Sequence, residues 1–296
     1  MQQRSPSLVD YATLLVLSLI WGTSYILIKK GLEVFSPAQV AALRLGISAL
    51  ALAPLAVHHL RKIKWSDAPL LVLVGITGTG LPSFLFPFAQ TKLSSSLTGM
   101  LSGLTPLCTF IVAWLFFANR SVGRRQLTGV LLGLGGAVLL AYAAPGDVGQ
   151  TTQFGYAGFI LLACFCYATS SNIVATNFQN ISSLTITVTS FFLVGLPALI
   201  WAVTAGAVLQ SAAGAGTTGW WALSYVAMLA VFSTVLASVV FFKMVQRTGA
   251  VFASTVSYLI PLVALMWGLL DGEGLAFGQI PAIVLVLIGV FLSRRK

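Results

Sequence analysis

Ten long apolar runs, separated by short polar connections, constrain this chain more than any other feature. They occupy residues 11–28, 37–57, 68–89, 96–118, 126–142, 154–174, 184–205, 220–245, 250–270 and 277–292. Each is near the roughly 20 residues a helix needs to cross a bilayer. Helix is forced, because hydrocarbon offers the backbone no hydrogen-bond partners and the runs are too long for barrel strands. Only 7% of the residues are charged and 58% are hydrophobic, against roughly 25% charged in soluble domains. The expected fold class is all-α integral membrane, with ten transmembrane helices and no separate soluble domain.

The formal net charge is +10. The cations sit between apolar runs, so they report topology, and no nucleic-acid partner is expected. With ten spans, one side holds Arg4, Arg61, Lys62, Lys64, Arg120, Arg124, Arg125, Lys243, Arg247, Arg294, Arg295 and Lys296. The other side holds Lys29, Lys30 and Lys92, and Arg44 falls within a span. This bias places both termini in the cytoplasm of a multi-pass protein in the cell's inner (plasma) membrane. A single Arg before the first run and no small-residue cleavage pattern after it indicate an uncleaved first helix.

The chain also repeats itself. Leu101-Ser-Gly-Leu-Thr-Pro106-Leu and Val256-Ser-Tyr-Leu-Ile-Pro261-Leu each lead into a long apolar stretch. Each stretch ends in a polar break, at Asn119 and at Glu273, followed by Gln126 or Gln279 and a late glycine, Gly136 or Gly289. The prolines stand 155 residues apart and the late glycines 153. An offset near half the chain indicates duplication. The polar, turn-rich residues 144–153 divide the spans five and five. An odd number of spans inverts the second copy. The basic loop after the second span has an uncharged counterpart after the seventh, as inversion requires. Residues 1–146 and 147–296 are thus expected to be inverted five-helix repeats around a central cavity. Weaker echoes pair Trp21-Gly-Thr-Ser24 with Tyr167-Ala-Thr-Ser170, and Pro54 with Pro197, which sets Arg44 opposite Thr187.

Leu19-Ile-Trp21-Gly-Thr-Ser24, then Ala41-Ala-Leu-Arg44, resembles the opening of EamA-type members of the drug/metabolite transporter superfamily. The two proline stretches, each with its later glycine, resemble the ends of the two EamA repeats. The resemblance covers nearly the whole chain and rests on the order and spacing of its motifs. It implies ten helices, a central cavity, and small metabolites such as amino acids as substrates, often exported. The family's usual Glu after the fourth helix is Asn119 here, whereas the second copy keeps Glu273.

Arg44 is the sharpest candidate. An Arg at a helix centre costs at least about 2.5–3.5 kcal/mol on insertion scales, so it faces a cavity or a partner. In one reading it receives an anionic substrate group through paired hydrogen bonds. In the other it is structural, snorkelling outward or tying down carbonyls, Glu33 or Glu273. The resemblance, which carries Arg here across diverse substrates, favours the structural reading. Trp21, Tyr167 and Tyr258 are cavity candidates because they neighbour Thr23, Ser24, Thr169, Ser170 and Ser257. The expected substrate-binding set is Trp21, Ser24, Arg44, Tyr167, Ser257 and Tyr258. Other aromatics, including Tyr25, Phe84, Phe88, Trp114 and Trp267, are expected to pack or face lipid. Gln90 and Asn172 either bind substrate or bridge helices. Gly75-Ile-Thr-Gly78-Thr-Gly80 lacks the order and the Lys of a phosphate loop and reads as close helix packing. Cys108, Cys164 and Cys166 lie in apolar runs without His or acid nearby, so no metal or other cofactor is expected.

The leading functional reading is a secondary transporter working by alternating access, with in-span prolines as weak points. The absence of mid-span carboxylates favours facilitated diffusion or exchange over strong ion coupling, and leaves a proton site near Glu273 open. A membrane enzyme acting on a lipid-linked substrate is the alternative. His58 and His59, with Asp67, are too little for its active site. A channel would need charged rings or a filter sequence, which are missing.

Overall fold

The protein is described by a computed structural model covering residues 7–117, 124–143, 150–204, 207–274 and 277–293. Among these residues it is all-helical. We number the main helices α1 (Leu8–Leu32), α2 (Pro37–Leu60), α3 (Trp65–Gln90), α4 (Ser95–Phe116), α5 (Arg124–Tyr142), α6 (Gln150–Asn177), α7 (Ser183–Thr204), α8 (Gly216–Thr248), α9 (Ala250–Leu270) and α10 (Gln279–Ser293). A short helix, Ala207–Gly214, joins α7 to α8 where the sequence predicts a connection. Eight of the main helices, all but α5 and α10, are long and apolar enough to cross a membrane. The outward surface carries apolar side chains such as Leu50, Val57, Phe116, Trp201 and Leu270, while many Ser and Thr residues are buried. That inversion of the soluble pattern is what a lipid solvent requires, and the chain is a multi-pass membrane protein.

Helix starts follow local chemistry. Ser7 donates from its amide and hydroxyl to the Asp10 carboxylate at 2.8 and 2.7 Å. Ser36 caps α2 ahead of Pro37, accepting from the Gln39 amide while the Gln39 side chain accepts from the Ser36 amide. Such boxes satisfy backbone donors that a helix start leaves unpaired. α8 and α9 meet at Gly249, whose φ of 89° and ψ of 158° suit glycine.

Four helices are irregular in their middles. α3 contains a π-helical turn at Ile76–Gly80, and α8 contains one at Leu229–Leu236. α4 breaks after Ser102 and resumes at Thr105, with Pro106 in its new first turn. α9 passes through a 3-10 stretch, Ser254–Tyr258, and resumes at Ile260 with Pro261 similarly placed. Proline fits a first turn because that turn leaves its N–H unused. The two echoed sequence stretches are therefore the points where helices break.

Two helix pairs pack backbone to backbone. α2 lies on α7, where a Cβ on Gly195 would meet the Leu45 carbonyl oxygen at 2.5 Å. α5 lies on α10, where Gly136 sits against the Val286 amide and Gly289 against Gly133. Only glycine permits such approaches. One apolar cluster gathers Tyr25, Ile28, Phe86, Leu101 and Ile260, and another gathers Leu17, Val74, Phe191, Phe242 and Val256. The main cavity shares residues with both and lies between them.

Candidate functional site

The cavity is walled by α1, α2, α3, α4, α6, α8 and α9. Its empty space, open mouth included, is about 820 Å³, of which a water centre can occupy about 80 Å³. It is a narrow slot between side chains. Of the six residues expected from sequence, Trp21, Ser24, Arg44, Tyr167 and Ser257 line it. Tyr258 is not among the lining residues; it is half-buried against the apolar cluster that includes Ile260.

The irregular helices supply the polar lining. The widened turn of α8 presents Ser233 and Thr234. The Ser233 carbonyl accepts from Trp21 Nε1 at 2.8 Å. Thr234 Oγ1 accepts from Arg44 Nε at 2.8 Å and donates to the Leu229 carbonyl at 3.2 Å. A π turn frees carbonyls from the i−4 ladder, so such contacts arise there. The corresponding turn of α3 presents Gly78 and Thr79 to the cavity. The Thr79 hydroxyl is buried without a partner among the described residues. The break in α4 presents Ser102 and Thr105, whose hydroxyls donate to the carbonyls of Gly99 and Ser102. Ser254 and Ser257 come from the 3-10 stretch of α9.

Arg44 is 6% exposed. Tyr167 lines the same cavity beside it. Arg44 is tied to neither Glu33 nor Glu273, the two carboxylates that the structural reading offered it. Lys30 Nζ bonds Glu33 at 2.9 Å, and Lys29 Nζ bonds Glu273 at 2.8 Å. Aromatic rings complete the slot. Phe86 meets Tyr25 edge-on at 5.7 Å and stacks on Tyr167 at 5.9 Å, while Trp21 meets Phe241 at 5.0 Å. Tyr25 and Ser102 both line the slot.

Just past Ile28, which lines the cavity, lies a charged cluster. Lys29 Nζ lies 2.7 Å from Asp271 and 2.8 Å from Glu273, and Lys30 Nζ lies 2.8 Å from Asp271. Glu273 also accepts from the amides and hydroxyls of Ser95 and Ser96 at 2.6–3.0 Å. One carboxylate thus joins the end of α9 to the start of α4 and the end of α1. Burial raises the Glu273 carboxyl, but the bonds from Lys29, Ser96 and Ser95 outweigh it and bring it down to about 2. For Asp271 burial likewise acts upward, and Lys29 and Lys30 bring it below its ordinary value. Glu273 thus stays ionised at neutral pH in this arrangement. Asn119, its expected counterpart, lies outside the described residues.

The remaining candidates fall elsewhere. Asn172 Nδ2 donates to the carbonyls of Thr109 and Ala168, bridging α6 to α4. The Gln90 amide is buried without a partner among the described residues and does not line the cavity. Phe84, Phe88 and Trp114 each keep more than 40% of their surface exposed. Trp267 Nε1 donates to Thr23 Oγ1 at 2.9 Å. Sequence reasoning missed Thr79, Ser233, Thr234, Phe86 and Phe241, and Tyr25, expected to pack or face lipid, lines the cavity. One signal for two of them was present: Thr79 and Thr234 share the 155-residue spacing of Pro106 and Pro261.

Three kinds of likeness bear on identity. A solved crystal structure matches with a TM-score of 0.64 at 16% identity over 96% of each chain, which shows a shared fold. An uncharacterized transporter of Archaeoglobus fulgidus is 22% identical over 93% of this chain and 95% of its own length. A probable terminal-alkyne amino-acid exporter of Streptantibioticus cattleyicolor is 26% identical over 47% of each chain. The uncharacterized transporter YdfC of Bacillus subtilis is 28% identical over 49% of this chain and 47% of its own. The profile of the EamA-like transporter family matches residues 10–142 and again residues 155–295. With both stretches matched, this chain belongs to the EamA-like transporter family.

Proposed function

We propose that the protein is a secondary transporter that moves a small amphipathic metabolite, an amino acid or a similar solute, out of the cell across the inner membrane by alternating access. The observation that carries this reading is the cavity itself, walled by α1–α4 from one half of the chain and α6, α8 and α9 from the other. A site between two halves is what a rocking carrier needs. The relative named as an amino-acid exporter supports the substrate chemistry.

Residues 1–146 and 147–296 are read as inverted repeats with ten spans. Several correspondences support them. α3 and α8 both carry a π turn, and α4 and α9 both break before a proline. α2 packs on α7 and α5 on α10, so helices meet their own counterparts, as a two-fold axis in the membrane plane implies. α5 and α10 are the shortest spans in this reading; a short span is accommodated by local thinning of the bilayer. With both termini in the cytoplasm, as the Lys and Arg bias supports, the Lys29–Asp271–Glu273 cluster forms the outer gate.

Purified protein in proteoliposomes tests the function. A carrier gives saturable uptake of labelled amino acids, accelerated when the same solute is loaded on the far side. Linear, unsaturable flux would mark a channel, and chemical turnover of a lipid-linked substrate would mark an enzyme; either result defeats the proposal.

A further inference from the structure

We infer that the cavity selects its cargo by one carboxylate, received by Arg44, and makes no use of an ammonium group. The cargo class is then organic monocarboxylates with a partly apolar body, amino acids among them, whose ammonium adds nothing to binding. This rests on the reading of the cavity as the transport site.

Arg44 is a buried cation with no carboxylate partner among the described residues. The acids are committed elsewhere. Asp10 bonds Ser7 and lies 3.7 Å from Arg247. Glu33, Asp271 and Glu273 are held by Lys29 and Lys30. Asp67 sits in the turn at the start of α3, and Asp147 lies outside the described residues. A charge this deep in a membrane protein is costly unless something neutralises it. In the chain as described that role is vacant, and a substrate anion fills it.

The local geometry suits a planar carboxylate. Thr234 holds Nε and is itself held by the Leu229 carbonyl, which fixes the guanidinium. Tyr167 lines the cavity beside it. The terminal nitrogens still carry donors enough for a paired contact. An ammonium has no such reception. Apart from Arg44 the polar lining is mainly hydroxyl, and no acid lines the cavity among the described residues. The aromatic faces attract cations, but Arg44 repels any cation that enters beside it in a low-dielectric slot. An uncharged polar group fares better, because Thr79 lines the same cavity with a hydroxyl that has no partner among the described residues. Its counterpart by sequence offset, Thr234, is the hydroxyl that Arg44 engages.

Three ligands of one body separate the charges: L-phenylalanine, N-acetyl-L-phenylalanine and L-phenylalanine amide. The same triads on tryptophan and leucine vary the body. Binding to purified wild-type protein is read by calorimetry in detergent. In at least one triad the N-acetyl acid should bind no more weakly than the free amino acid. The amide should bind at least tenfold more weakly, about 1.4 kcal/mol. Arg44→Gln should erase the preference for acid over amide, and Arg44→Lys should restore part of it. The inference is overturned if amides match acids, if free amino acids exceed their N-acetyl forms tenfold, or if no acid binds at millimolar concentration. Because the ligand series runs on wild-type protein, a misfolded variant does not remove the test. Amide binding together with carrier kinetics would sink this inference alone. Acid binding without counterflow would sink the transport reading instead.

Discussion

Arg44 was legible because a charge inside an apolar run has few explanations. Its partner was not. Thr234 is one hydroxyl among many in apolar segments, and only a π turn in α8 brings it to Arg44. A π turn shifts helical register by one residue, and no residue pattern in the chain announces that shift. Tyr258 shows the converse. It neighbours Ser257 in sequence, but in the 3-10 stretch of α9 the two side chains part, and only Ser257 lines the cavity. Two outcomes follow at this scale. Arg44→Ala should lower transport on the order of 100-fold, the worth of a charged hydrogen-bonded contact, while the purified protein keeps a near-wild-type melting temperature. If melting collapses together with transport, Arg44 is structural. Thr234→Val should leave Nε without its acceptor and raise KM roughly tenfold, with a smaller effect on kcat. An unchanged KM would mean that Thr234 does not position the guanidinium.

At the scale of elements, apolar runs and turn chemistry announced nearly every main helix, whereas the ties between helix ends were hidden. Glu273 was visible as an acid after α9, but its engagement with Ser95 and Ser96 spans 178 and 177 residues. Such contacts follow from packing, which residue spacing does not encode. The tie has a definite pH signature. The Glu273 carboxyl is lowered from 4.5 to about 2. Its stabilisation is therefore fully present above the ordinary value and is lost as pH falls through about 2. Glu273→Gln should destabilise the protein by roughly 1–3 kcal/mol. The gap in melting temperature from wild type should stay level from pH 8 to pH 5 and narrow below about pH 4. A gap that varies between pH 5 and 8 would show that another group sets the tie. Gly249 offers a separate check on the α8–α9 turn. Gly249→Ala should cost about 1–3 kcal/mol, because its backbone region is nearly closed to other residues; no change in melting temperature would show that the turn relaxes.

Across the whole molecule, the duplication was the most informative feature of the sequence, and the interest now lies where the copies differ. The offset that pairs Pro106 with Pro261 sets Ser95 against Ala250 and, within a residue, Asn119 against Glu273. In the second copy the Glu273 carboxylate receives two serines and a lysine. The positions equivalent by sequence offset carry an amide, Asn119, and an alanine, Ala250, which offer neither that charge nor that hydroxyl. If these two places act as alternating gates, their closing energies are unequal, and the resting population favours the state with the Glu273 gate shut. Ile28, next to Lys29 of the charged cluster, and Ser254, just after the α8–α9 turn, both line the cavity and are 1% and 2% exposed. Single cysteines at these positions, in a background freed of Cys108, Cys164 and Cys166, report access from either side. In resting proteoliposomes the Ser254→Cys variant should react with a membrane-impermeant thiol reagent from the cytoplasmic face several-fold faster than Ile28→Cys reacts from outside. Asn119→Glu should reduce that asymmetry, and Glu273→Gln should raise the Ile28→Cys rate at least tenfold. Faster labelling at Ile28→Cys than at Ser254→Cys in the wild-type background would mean that the charged cluster is not the dominant gate.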